Sequence, residues 1–143
     1  MVAISEPSFP IEHVPDLSSV SERKRLSPSA MQGFTAIIEK WGLNETYARP
    51  LLGGITASTY QAWKCKQEGL SLSQDTLTRI SLLIGMYKAL HVYLGDPLAD
   101  QWMSRENDGF LFSGKKPIDY LIKNGIPGFI EVRRMLDSVC QGN

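Results

Sequence analysis

Cysteine and histidine are scarce in this 143-residue chain, with two of each. Cys65 and Cys140 stand alone, without a CxxC or a Cys/His cluster, so the spacing excludes a dithiol redox pair and a zinc knuckle. Both thiols are expected to be reduced, small and apolar in character. His13 and His91 lie too far apart for HExxH or any zinc pattern, so neither a metal nor another cofactor is expected. Long apolar runs are missing too. "SLLIGMYKAL" comes nearest, and Lys88 breaks it well short of the roughly 18 residues that a membrane span needs. Net charge is zero, which neither demands nor excludes nucleic acid, because binding follows a local basic patch. The opening "MVAISEPSFPIEHVPDL" has no basic n-region and carries Glu6, Pro7, Pro10 and Glu12 where a leader needs apolar residues. A cytoplasmic protein with no membrane partner is expected.

The composition is that of a globular protein, 43% hydrophobic against 21% charged. Residues 1–26 hold Pro7, Pro10 and Pro15 and close on "SERKRLSP", which predicts an extended N-terminal arm. A first helix is expected from Ser27 as N-cap and Pro28 in the first turn, with Met31, Phe34, Ile37, Ile38 and Trp41 at helical spacing and Gly42 ending it. Asn44 caps a second, short helix that Pro50 distorts late. Thr56 caps a third, over about 57–66. Ser71 or Ser73 caps the longest helix, running to about Leu94, whose apolar face exceeds half its circumference. Such a helix needs packing partners on more than one side. Beyond it, Asp96 is expected to cap a helix begun by Pro97, "ENDGF" to turn, and "GFLFSG" either to pair as a strand or to bury Phe110 and Phe112. Pro117 opens "PIDYLIKNG", Gly125 caps it, and Pro127 opens a last helix with Phe129, Val132, Leu136 and Val139 inward. Nothing alternates as a sheet would. The fold is expected to be all-α.

"LLGGITASTYQAWK" at 51–64 is the most informative stretch. Its helix starts thin, with hydroxyl and amide side chains in front and Ile55, Tyr60 and Trp63 spaced to anchor its back. A helix entering the DNA major groove needs a slim N-terminal turn and side chains that donate and accept at base edges. Thr56, Ser58, Thr59, Gln61 and Lys64 are therefore the candidate DNA contacts. The Gly53–Gly54 pair suits a sharp helix–helix angle, and no GxxxxGK[ST] makes it a phosphate loop. Ordinary helix–helix turns use the same residues, so a structural turn stands as the alternative. No histidine neighbours a plausible nucleophile, and Asp75, Asp96 and Asp100 read as caps and helix surface. A binding module, not an enzyme, is expected.

Further on, "GITASTYQAWK", "LSLSQDTLTRISLL", "ADQWMSREN" and "GKKPIDYLIKNGIPGFIEVRRMLDSVCQG" follow one another in a recognisable order. Over about 45–143 the chain resembles the Xre/MbcA/ParS-type antitoxins. Trp102, Pro117 and Leu121 in "KPIDYL", Gly125, and the Val132/Leu136 helix closing near Gly142 are the most specific pieces. The resemblance implies a helix-turn-helix lobe over 27–70 and a C-terminal toxin-binding domain over 71–143, joined by the long central helix. It implies a homodimer that represses its own operon on operator DNA, nucleoid-associated when so bound. It also implies neutralisation of a RES-domain toxin, an NAD⁺-degrading enzyme whose active-site cleft the C-terminal end covers. Arg133, Arg134, Gln141, Gly142 and Asn143 are the toxin-facing candidates on that basis. The alternative is a helix-turn-helix repressor without a toxin partner.

Overall fold

The computed structural model describes residues 15–140, and its order is α1 (Val20–Lys40), α2 (Glu45–Leu51), α3 (Ala57–Cys65), α4 (Gln74–Leu94), α5 (Leu98–Trp102) and α6 (Pro117–Cys140). Among these residues there is no strand, only an isolated antiparallel bridge between Asn107 and Lys115. The fold is all-α, as expected.

Helix α4 is the shared centre. Leu77, Ile80, Leu83, Met86, Ala89 and Leu90 are buried along it, facing α1 on one side and α5 and α6 on others. Each large apolar side chain so covered contributes about 1.5–3 kcal/mol. Phe34 of α1, Leu51 of α2, Tyr60 of α3 and Phe129 of α6 belong to the same continuous core, as does Met103 just beyond α5. The N-terminal and C-terminal regions thus drape over one helix and share one interior. Ser73 caps α4, its Oγ accepting from the Thr76 N–H at 3.1 Å.

The start of α1 corrects the sequence reading. The helix begins at Val20, upstream of the expected start, with Ser19 as N-cap accepting from the Glu22 N–H. Residues 20–26, expected in the extended arm, are helical; residues 1–14 of that arm lie outside the described residues. Pro28 falls inside the helix, where a missing N–H ordinarily costs about 3 kcal/mol. Local contacts hold the upstream turns. Arg25 pairs with Glu22 at 2.9 and 3.0 Å, and Arg23 Nη1 donates to the Leu17 carbonyl at 2.9 Å. Ser27 is no cap. Its buried hydroxyl donates to the Arg23 carbonyl at 2.5 Å and accepts from the Leu72 N–H at 2.8 Å, joining α1 to the segment before α4.

The remaining joints follow the side chains. Asn44 caps α2, accepting from the Tyr47 N–H. Asp96 does not cap α5, which has no side-chain cap; its carboxylate turns back to His91 instead. In the 103–116 loop, Phe112 is buried, its ring edge-to-face with Trp102 and with Tyr120 at 5.5 Å each, whereas Phe110 is 96% exposed. Gly125 adopts φ 65°, a left-handed conformation costly for a side-chain-bearing residue, and splits α6 into legs over 117–124 and 126–140. Phe129, Val132 and Leu136 of the second leg are buried, while Val139 is half-buried.

Replacing Ser27 with Ala leaves the buried Leu72 N–H without an acceptor. Ser27→Ala should lower unfolding free energy by about 1–3 kcal/mol in urea titrations; an unchanged midpoint and slope would contradict this joint.

Candidate functional site

Two parts of the surface hold the residues that the sequence singles out. The first is α3 with the turn before it. At the end of α2 the Gly53 N–H reaches the Pro50 carbonyl at 3.0 Å and the Gly54 N–H the Arg49 carbonyl at 2.8 Å. The second closure spans the positive φ of Gly53, 101°, and Gly54 follows at 86°, so the glycine pair turns the chain between α2 and α3. The back of α3 is anchored as expected. Tyr60 is buried edge-to-face on Phe34 at 6.4 Å, and Ile55 and Trp63 pack against the core. Burial, then the nearby Glu45 charge, raises the Tyr60 phenol above its ordinary value.

On the front, Thr56, Ser58, Gln61 and Lys64 are exposed and Thr59 is half-buried. They are not equally free. Thr56 is the N-cap of α3, accepting from the Thr59 N–H at 3.2 Å and donating to the Thr59 hydroxyl at 2.9 Å. Gln61 reaches the Cys65 sulfur at 3.1 Å, and Lys64 Nζ lies 4.6 Å from the centre of the Tyr60 ring. Small residues surround them, with Ala57 and Ala62 exposed between. The result is a thin, weakly basic helical edge carrying hydroxyls and an amide. The arginines of "RKR" at 23–25 sit on α1 instead, Arg25 paired with Glu22 and Arg23 donating to the Leu17 carbonyl.

The second part is α6 and what surrounds it. Arg133 donates through Nε to both Asp137 oxygens at 3.1 Å, and its guanidinium lies directly over Gly85 of α4, where a Cβ would clash with it. Gly85 is the gap that admits this side chain. Arg134, next in sequence, is exposed. Gln141, Gly142 and Asn143 lie outside the described residues. Four large apolar side chains that the sequence does not single out as exposed, Val92, Tyr93, Leu98 and Phe110, lie open to solvent. The one signal for this exposure is that α4 carries more apolar residues than its inward face can hold.

The two parts meet. Arg79 of α4 donates to Asp75 at 2.8 Å, lies over the Phe129 ring at 5.7 Å, and reaches Gly53 on one side and Gly125 on the other. Pro50 and Gly54 from the α2–α3 turn and Ile122 and Lys123 from α6 complete the same cleft. The glycine turn thus abuts the kink of α6.

Residues 88–142 match the model of a family described as the antitoxin Xre/MbcA/ParS C-terminal toxin-binding domain. Over 122 residues the chain is 30% identical to an uncharacterized protein, y4oB, of Sinorhizobium fredii (strain NBRC 101917 / NGR234), an overlap covering 85% of this chain and 92% of that one. No solved structure matches the chain. The matched stretch takes in the end of α4, α5, the Phe110 loop and the kinked α6, the same region that leaves large apolar side chains uncovered. The chain belongs to the Xre/MbcA/ParS-type antitoxins, and it is the antitoxin of a toxin–antitoxin pair.

Proposed function

We propose that this antitoxin silences a RES-type, NAD⁺-degrading toxin with its C-terminal domain and represses its own operon, as a homodimer, by laying α3 in the DNA major groove. One observation carries the toxin half of the reading. Of the five large apolar side chains exposed among the described residues, four (Val92, Tyr93, Leu98 and Phe110) fall within 88–142. Exposed apolar groups concentrated in one region are the surface a protein partner would cover. Arg134, in the same matched stretch, offers an exposed guanidinium for acidic groups on the toxin, with Arg133 a more constrained second. Gln141, Gly142 and Asn143 follow α6 and are slim enough to enter a cleft made for a dinucleotide, while the helix behind them supplies contact area.

The DNA half rests on α3. A helix whose back is held by Tyr60, Ile55 and Trp63 presents Ser58 from its first turn and Gln61 from its second on a front free of bulk, with Lys64 within reach of phosphate. Thr56 and Thr59 belong to the same edge but already bond to one another, so their part in base reading is secondary to holding the helix start. That assignment separates the residues by effect. Ser58→Ala with Gln61→Ala should lower operator affinity, by about 1–3 kcal/mol for each base-reading side chain removed, without weakening toxin binding. Thr56→Ala should instead cost about 1 kcal/mol of folding stability. Gel shifts at one fixed salt concentration and thermal melts measure the two; an unchanged shift for the double variant would remove α3 as the reading helix.

For the tail, removal of residues 141–143 should weaken neutralisation in a toxin co-expression growth assay while operator binding stays intact. Full protection by the truncated chain would contradict a tail in the toxin's cleft.

A further inference from the structure

Where α4 ends and α5 begins, three metal-ligating side chains from one short segment converge. His91 Nε2 lies 3.0 Å from Asp96 Oδ1 and 3.0 Å from Asp100 Oδ1, and the ligand atoms all fall within 4.8 Å of one another. Spacing alone hides this, because the residues belong to two elements that a turn folds together.

The other ring nitrogen bears on what Nε2 can offer. Nδ1 lies 2.9 Å from the Tyr87 carbonyl, which only accepts, so Nδ1 holds a proton and donates it. In the neutral imidazole that leaves the Nε2 lone pair directed at the two carboxylates. The Tyr87 ring, centred 4.1 Å from the imidazole, holds the ring's orientation. A histidine whose far nitrogen is fixed by a backbone carbonyl is the usual support of a metal ligand. A second observation points the same way. Asp100 Oδ1 is shut off from solvent and accepts no hydrogen bond, although Nε2 is only 3.0 Å away. A buried carboxylate oxygen without a donor is costly, and a cation beside it, either a metal ion on the Nε2 lone pair or the imidazolium itself, removes that cost; zinc titration separates the two.

We propose that His91, Asp96 and Asp100 form a binding site for a divalent transition-metal ion, zinc first. One imidazole and two carboxylate oxygens make a borderline donor set that suits zinc, cobalt or manganese better than calcium, which wants six or more oxygens. Three protein ligands with a fourth, water-filled position is a common zinc arrangement. Asp96, 77% exposed, leaves that position open to solvent, and Asp100, 24% exposed, closes the inner side. A bound ion would tie the last turn of α4 to the first turn of α5, next to Val92, Tyr93 and Leu98. The site stands whichever toxin or operator the protein binds.

The test is isothermal titration of zinc chloride, and separately cobalt chloride, into the chelator-stripped full chain. One ion per chain should bind, cobalt should develop the visible bands of four-coordination, and zinc should raise the melting temperature. Asp100→Asn and Asp96→Asn should each weaken zinc binding by about 100-fold or more, above the usual loss for an outer partner. The exposed Asp96 makes its variant safe for folding. His13→Ala and Cys65→Ser should bind as the parent does. No one-site binding by the parent chain would overturn the proposal, as would parental affinity in both Asp variants, or binding lost in the His13 or Cys65 variant instead.

Discussion

Everything in this molecule depends on covering α4. A helix of 21 residues with apolar side chains around most of its circumference cannot be hidden by one neighbour, so α1, α5 and α6 close on it from different sides. That constraint makes the N-terminal and C-terminal regions parts of one interior. It also fixes where the leftover apolar surface appears. Near the end of α4, Leu90 turns inward, and Val92, at 77% exposure, and Tyr93 are left outside. The surplus lies in the stretch that matches the toxin-binding domain.

Much of this is legible in the residues. Caps at Asn44 and Thr56, a serine cap for α4 at 71 or 73, the interruption at Gly125 and the anchoring of Tyr60 are each readable, because each rests on a local rule that tertiary packing does not override. The start of α1 is different, though a signal for it exists. Ser19 and Glu22 have the spacing of a capping box, and Pro28 draws attention from it. A proline is tolerated inside a helix when its neighbours compensate, and Ser27, tied to Leu72 from 45 residues away, is a compensation no local window reveals.

The site residues divide along the same line. Their positions on exposed or buried faces follow from helical spacing, but their engagements do not. Arg133 is held against α4 because Gly85 leaves room for a guanidinium, a match between two helices with no trace in either segment alone. The meeting of His91 with Asp96 and Asp100 is likewise a product of the turn at Gly95. Arg79, reaching from the glycine turn of α2 to the glycine kink of α6, is a third case. Its contacts tie the turn before α3 to the kink of α6.

The central claim is that the domain over 88–142 occludes an NAD⁺-consuming enzyme. It is tested most directly by purifying a cognate RES-domain toxin, adding the chain in increasing amounts, and following NAD⁺. The account predicts that consumption falls to zero as the two reach a fixed ratio and co-elute on sizing. Undiminished NAD⁺ loss in the presence of excess chain, or separate elution of the two proteins, would contradict it.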